Sequence, residues 1–198
     1  MEINEEQNTT SVTNEENVAQ KRELKTEEKK KGLNLKDLLL TAILLAAGAV
    51  LKFFVGSLIN IGGMKPNFII AMYCMIVVLV RPNVLYCAII GLLAGAICQF
   101  FPGTPYLNFA SELAGAVAMG LLIKINLKFG KFDPMPALAT FLSTVVSGGL
   151  YTVLLLSVMH ADKATLVAYV PIVLCTALFN SVIVQILHLP LKAALKNK

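Results

Sequence analysis

The sequence predicts an all-α integral membrane fold: six transmembrane helices in a compact bundle, with both termini cytoplasmic. Three observations predict it. First, charge is scarce and crowded at the ends. The chain is 57% apolar and only 15% charged, with a mean hydropathy of +0.73, against roughly 25% charged in a soluble domain. Of its 17 Lys/Arg and 12 Asp/Glu, 16 fall within positions 1–37 and three within 192–198, leaving 10 for residues 38–190. Such a stretch cannot coat a water-soluble globule with polar surface, which excludes a soluble enzyme, a nucleic-acid binder and a disordered chain. Second, six apolar runs alternate with turn signals. Third, Lys and Arg are distributed unequally between alternate connections.

Residues 1–34 read as a disordered, charged cytoplasmic tail. Positions 1–20 hold five acids and no base, and positions 21–36 hold seven bases and three acids. Sequence of this kind buries too little apolar surface to offset chain entropy. It also lacks the apolar core and cleavage site of a signal peptide. Lys29-Lys30-Lys31 and Lys36 stand just before the first apolar run and suit an anionic leaflet.

A bilayer-crossing helix needs about 20 apolar residues. The first run covers 35–54, and a Gly-, Asn- and Pro-containing break follows over 56–67. The second covers 66–80 and is short, being held between Pro66 and Pro82. Arg81-Pro82-Asn83 is a turn. The third covers 84–101 and stops at Pro102-Gly103-Thr104-Pro105. The fourth runs from 106 or 108 to 125, and a polar connection follows over 124–136. The fifth covers 135–159, His160-Ala161-Asp162-Lys163 makes the next turn, and the sixth covers 164–189 with Pro190 near its end. Thus 35–190 is the expected membrane domain and 191–198 a short basic cytoplasmic tail.

Six spans put both termini on one side. That side then carries 14 Lys/Arg and the other carries Lys52, Lys65 and Lys163, so the positive-inside rule places the termini in the cytoplasm. The outer face receives the connections at 55–66, 101–107 and 159–165.

Glu112 is the only acid within an expected span, and an ionisable group there is a functional candidate by default. It is placed near the outer end of the fourth span, with a partly solvated pairing to Lys52 or Lys65 as the plainer alternative. Lys52 is expected to snorkel outward from the first span. Gly62-Gly63-Met64-Lys65-Pro66-Asn67 can turn sharply and start a helix at proline, offering Lys65 and free amides to an anion. Asn108, Tyr151 and Thr152 lie on the same outer half, whereas Asn180 and Gln185 lie deeper and suit interhelical hydrogen bonds. Small residues spaced four apart occur at Gly91/Gly95, Ala114/Ala118 and Ala116/Gly120, for packing inside the bundle, and at Ala42/Ala46, on a smooth patch open to a helix of another subunit. The four cysteines sit in apolar runs without metal-binding spacing. No phosphate-binding loop, zinc-protease helix or serine elbow occurs. An intramembrane hydrolase would need Ser111, Ser147 or Ser157 to meet His160 or His188, both expected at helix ends, so the chain reads as a non-enzyme.

Three features together resemble a known family. They are Ala42-Ile43-Leu44-Leu45-Ala46 in the first span, the loop Gly62-Gly63-Met64-Lys65-Pro66-Asn67, and Phe100-Phe101-Pro102-Gly103 at the end of the third span. With six spans in about 160 residues, they resemble the S component, or substrate-binding membrane subunit, of an energy-coupling factor (ECF) transporter. The last two look like the tryptophan-specific type, with Asn67 in place of that type's acid and Thr104-Pro105-Tyr106 departing from it. The resemblance implies a subunit of the bacterial plasma membrane that captures tryptophan, or a related aromatic compound, on the outer face. It would deliver its cargo by toppling, with a transmembrane coupling protein and two ATPase subunits as partners. Ala42 and Ala46 would dock the coupling protein. No cofactor is expected on this chain, ATP being used by the partners.

Tryptophan is a zwitterion with a large ring. Lys65 with the Gly62 and Gly63 amides suits its carboxylate, and Glu112 with Asn108 suits its ammonium. Asn67 lies beside them, and Phe101, Tyr106 and Tyr151 could stack on the indole. The main rival is a stand-alone secondary transporter of a small amino acid or aromatic solute, a class that commonly carries internal repeats and broken helices. Neither an internal repeat nor a charge pair at mid-depth is visible. A membrane scaffold or signalling subunit is the third reading.

Overall fold

Six helices account for nearly all of the residues described by the computed structural model, which are 34–58, 66–104, 106–125, 133–162 and 164–196. They are α1 (Leu35–Leu58), α2 (Ile69–Val80), α3 (Val84–Cys98), α4 (Leu107–Leu122), α5 (Met135–Val158) and α6 (Ala164–Lys196). No strand occurs among the described residues. The tail expected over 1–34 lies, Asn34 apart, outside them.

The six apolar runs each become one helix, but their lengths divide into two sets. α1, α5 and α6 are long and apolar enough to cross a membrane, whereas α2, α3 and α4 have 12, 15 and 16 residues. At 1.5 Å per residue α2 is about 18 Å long, short of a hydrocarbon core of about 30 Å. Its position explains how so short an apolar helix is accommodated. Ile69 through Val78 are all buried, and α2 packs against α1, α3, α4, α5 and α6. A helix that is apolar on every side belongs inside protein, and this one is the core around which the others stand.

Local chemistry sets the ends. Pro82 bars the α region to Arg81, which adopts φ 50° and closes α2 by donating its N–H to Val77 O. Asn83 then caps α3, its side-chain oxygen accepting from Tyr86 N at 3.0 Å. Asp133 Oδ1 accepts from Met135 N at the start of α5, where Pro136 fills an early position that needs no donor. Asp162 Oδ1 does the same for Ala164 N. α6 does not stop near Pro190 as expected. It continues to Lys196 with Pro171 and Pro190 inside it, prolines being tolerated in helices that neighbours support. His188 is therefore interior to α6, buried, and bonded to its own helix at Val184 O and Gln185 O.

Around this apolar core, α5 turns its polar side inward and its apolar side outward. On α5, Thr140, Ser143, Thr144 and Ser147 face inward while Leu138, Leu142 and Val146 are exposed. The inward hydroxyls are satisfied: Thr140 donates to Pro136 O, Thr144 to Thr140 O, and Ser143 across to Gly115 O of α4 at 2.8 Å. This inversion of soluble amphipathicity is what a lipid solvent demands, since every internal polar group must find its partner in protein. Gly91 and Gly95 do the expected internal packing. A Cβ at Gly91 would stand 2.7 Å from Glu112 O and 2.9 Å from Leu113 Cα, and one at Gly95 would stand 2.9 Å from Phe109 Cα. α3 and α4 thus meet backbone to backbone. Asn180 and Gln185 are interhelical, as expected. Asn180 Nδ2 donates to Asn67 O and Thr144 Oγ1, and Gln185 ties the start of α5 to α6 through Ala137 N and Asp133 O.

Candidate functional site

All six helices contribute to one cavity of about 220 Å³. This is below the roughly 300–1,000 Å³ of drug-sized pockets and is on the scale of one small solute. Its lining runs from Pro102 and Gly103 of the α3–α4 connection, which are exposed, to the half-buried Asn67 and the buried Glu112.

Helical spacing assembles its walls. α5 presents Thr144, Ser147, Gly148 and Tyr151, and α6 presents Tyr169, Ile172, Val173 and Thr176. Each set recurs at three- and four-residue steps and so occupies one face. α4 adds Asn108, Ser111 and Glu112; α1 adds Lys52, α2 Ile70 and α3 Cys98.

Glu112 is the centre of this polarity. It is 1% exposed, which does not fit the plainer alternative of a partly solvated acid, and α3 and α2 both pack against α4. Asn67 Nδ2 donates to Oε1 and Ser147 Oγ donates to Oε2 at 3.2 Å. The Cys98 thiol lies 3.9 Å from Oε1. Lys52 does not snorkel away from the bundle. Its Nζ is 3.2 Å from Cys98 Sγ and 5.1 Å from the centroid of the Phe101 ring, a cation–π contact.

One acceptor in the wall is unsatisfied. Asn67 uses Nδ2 on Glu112 and its backbone oxygen on Asn180, but its buried Oδ1 has no partner among the described residues. Leaving such a group unpaired costs about 1–3 kcal/mol, which a ligand carrying N–H groups could recover. At the mouth, Tyr151 and Tyr169 stack with centroids 6.1 Å apart and planes at 24°, and Tyr151 Oη accepts from Thr104 N.

Of the candidate residues, the structure brings Asn67, Phe101, Asn108, Glu112 and Tyr151 to this cavity. Tyr106 is not among the lining residues. It caps α4 at φ 67°, a left-handed conformation that leaves the side chain 77% exposed. Gly62, Gly63 and Lys65 lie outside the described residues. Ala42 and Ala46 are exposed on α1, while Gly48 of the same small-residue patch packs inward on Met72. Sequence reasoning passed over Lys52 as a lining residue, Tyr169, and the hydroxyls of Ser111, Thr144, Ser147 and Thr176. The signal was present in the repeat of polar residues at 140, 144, 147 and 151, one helical face whose polarity makes sense in an apolar run only if it lines something. Among the described residues, no three His, Cys, Asp or Glu side chains gather as a metal site.

Comparison with known proteins adds a family. The family described as tryptophan transporter TrpP matches residues 34–196, the whole helical region. No curated protein and no solved structure matches the chain.

Proposed function

We propose a role from the premise that the chain belongs to the tryptophan transporter TrpP family: it captures L-tryptophan in the cavity between its six helices. One observation carries the reading. A space sized for a single small solute unites a carboxylate, an ammonium, an unpaired amide oxygen and stacked tyrosines. Tryptophan offers the complement: an ammonium, a carboxylate and an indole with a flat face and one N–H. Lys65, Gly62 and Gly63, just before Pro66 and Asn67 in the chain, are further proposed contacts of the substrate, and Asn108 assists Glu112.

In this reading the chain is the S component of an ECF importer in a bacterial plasma membrane. Both termini are cytoplasmic, in keeping with the Lys/Arg asymmetry, and the cavity mouth faces outward. α1 to α6 form the membrane bundle, with α2 kept from lipid by the other helices. The exposed Ala42 and Ala46 receive the coupling protein. Two ATPase subunits use the ATP, and this chain carries no cofactor.

Uptake into proteoliposomes tests the arrangement. Vesicles holding the chain with the coupling protein and both ATPases should accumulate radiolabelled L-tryptophan only with ATP inside the compartment that the ATPases face. Accumulation by the chain alone, driven by a proton gradient, would instead establish a secondary transporter.

A further inference from the structure

The cavity has a charge direction. Lys52 Nζ and Glu112 Oε1 both approach Cys98 Sγ, at 3.2 and 3.9 Å from it. They are therefore no farther apart than those two distances laid end to end, which puts both within reach of the ammonium and carboxylate of one α-amino acid. The described partners of Lys52 are poor ones for an ammonium, a thiol sulfur and the face of Phe101. Those of Glu112 are better, yet the neighbouring Asn67 Oδ1 is buried and unpaired. Among the described residues, Lys52 thus has no anion in hydrogen-bond contact and Asn67 Oδ1 has no N–H donor.

We infer that Lys52 is the residue that selects the substrate carboxylate, with Glu112 and Asn67 Oδ1 selecting the ammonium, so that the amino acid lies across Cys98 with its side chain directed to Tyr151 and Tyr169. This rests on the reading of the cavity as a tryptophan site and assigns its polarity. Binding replaces a sulfur contact of Lys52 by a charge-assisted hydrogen bond, which is roughly twice as strong as a neutral one. It also supplies Asn67 Oδ1 with a donor. A ligand that has only one of the two charged groups leaves the other end as it was.

Three indole ligands separate the ends: L-tryptophan, tryptamine without the carboxylate, and indole-3-propionate without the ammonium. All three report their own binding by indole fluorescence, since the chain has no Trp. In the purified full chain, Lys52→Met should weaken L-tryptophan and indole-3-propionate by about tenfold or more, and tryptamine by no more than about twofold. Glu112→Gln should give the mirror pattern. Lys52→Arg should restore indole-3-propionate binding, and Lys52→Met should keep the melting temperature of the native chain. Equal weakening of all three ligands by either variant, or carboxylate selectivity lost in Lys65→Ala and kept in Lys52→Met, overturns the assignment while leaving tryptophan capture intact. A native chain that binds none of the three overturns the tryptophan reading itself, and the assignment with it.

Discussion

Lys52 and Glu112, a cation on α1 and an acid on α4, approach the same cysteine sulfur, and no ion pair between them occurs among the described residues. A closed pair in that position would leave no charge for a ligand to meet. Cys98 contacts both with a weakly polar atom, and the cavity lining thus brings a basic and an acidic side chain within reach of one zwitterion. Burial makes each charge costly unless paired, and a substrate that pairs both gains accordingly.

Removing the amide beside Glu112 should be felt at once. Asn67→Ala takes a donor from the carboxylate and the free acceptor from the wall. Hydrogen bonds to charged groups are worth about 1.5–3 kcal/mol, so L-tryptophan affinity should fall by about tenfold to a hundredfold. Asn180 still reaches the Asn67 backbone oxygen in that variant, and calorimetry should find the helical bundle folded.

Tyrosine substitutions distinguish the mouth from the outer surface. Tyr169→Ala removes half of the stacked pair and should cost L-tryptophan about 0.5–1.5 kcal/mol of binding, read as a several-fold rise in Kd. Tyr106→Ala, at an exposed residue outside the lining, should leave the Kd within about twofold.

Glycines make a contrasting pair in stability. Gly91→Ala would push a methyl against Glu112 O and Leu113 Cα, neither of which can swing aside, and should destabilise by about 1–3 kcal/mol. Gly149→Ala meets nothing within 4 Å and sits mid-helix in α5. It should be neutral or stabilising by up to about 1 kcal/mol. Thermal unfolding in one detergent, measured side by side, checks both.

Docking on α1 should separate from binding. Ala42→Leu or Ala46→Leu enlarges an exposed face without entering the cavity. Co-purification with the coupling protein, and uptake, should be lost while L-tryptophan titrates normally. Normal uptake with leucine at both positions would place the contact elsewhere.

The helices were legible because lipid writes them plainly: apolar runs of fixed length, ended by proline, glycine and asparagine. α5 begins at Met135 as the sequence predicts, and α2 ends at Val80 before Arg81-Pro82. The half-length of α2 was also visible, but its central position was not, because apolarity on every side suits both lipid and a protein core. Lys52 was misread for a related reason. A lysine near the end of an apolar helix snorkels when lipid surrounds it, and turns inward when Cys98 and Phe101 are the neighbours. Those neighbours come from α3 and the connection after it, so the choice is tertiary. Tyr106 failed through backbone conformation, a left-handed cap that no pattern in its own side chain announces. Glu112 stood out in the sequence as a lone acid in an apolar span, and Asn67 as a polar residue after Gly-Gly-x-Lys-Pro; both line the cavity.

The most direct measurement is a fluorescence titration of L-tryptophan with the purified chain, which contains five Tyr and no Trp. Excitation beyond tyrosine absorption then reports the ligand alone. The account predicts saturable one-to-one binding with a blue-shifted indole emission, as the ring leaves water for the space beside Tyr151 and Tyr169, and loss of that signal in the Lys52→Met/Glu112→Gln double variant. An emission spectrum unchanged at every protein concentration, or a shift that persists undiminished in the double variant, would contradict it.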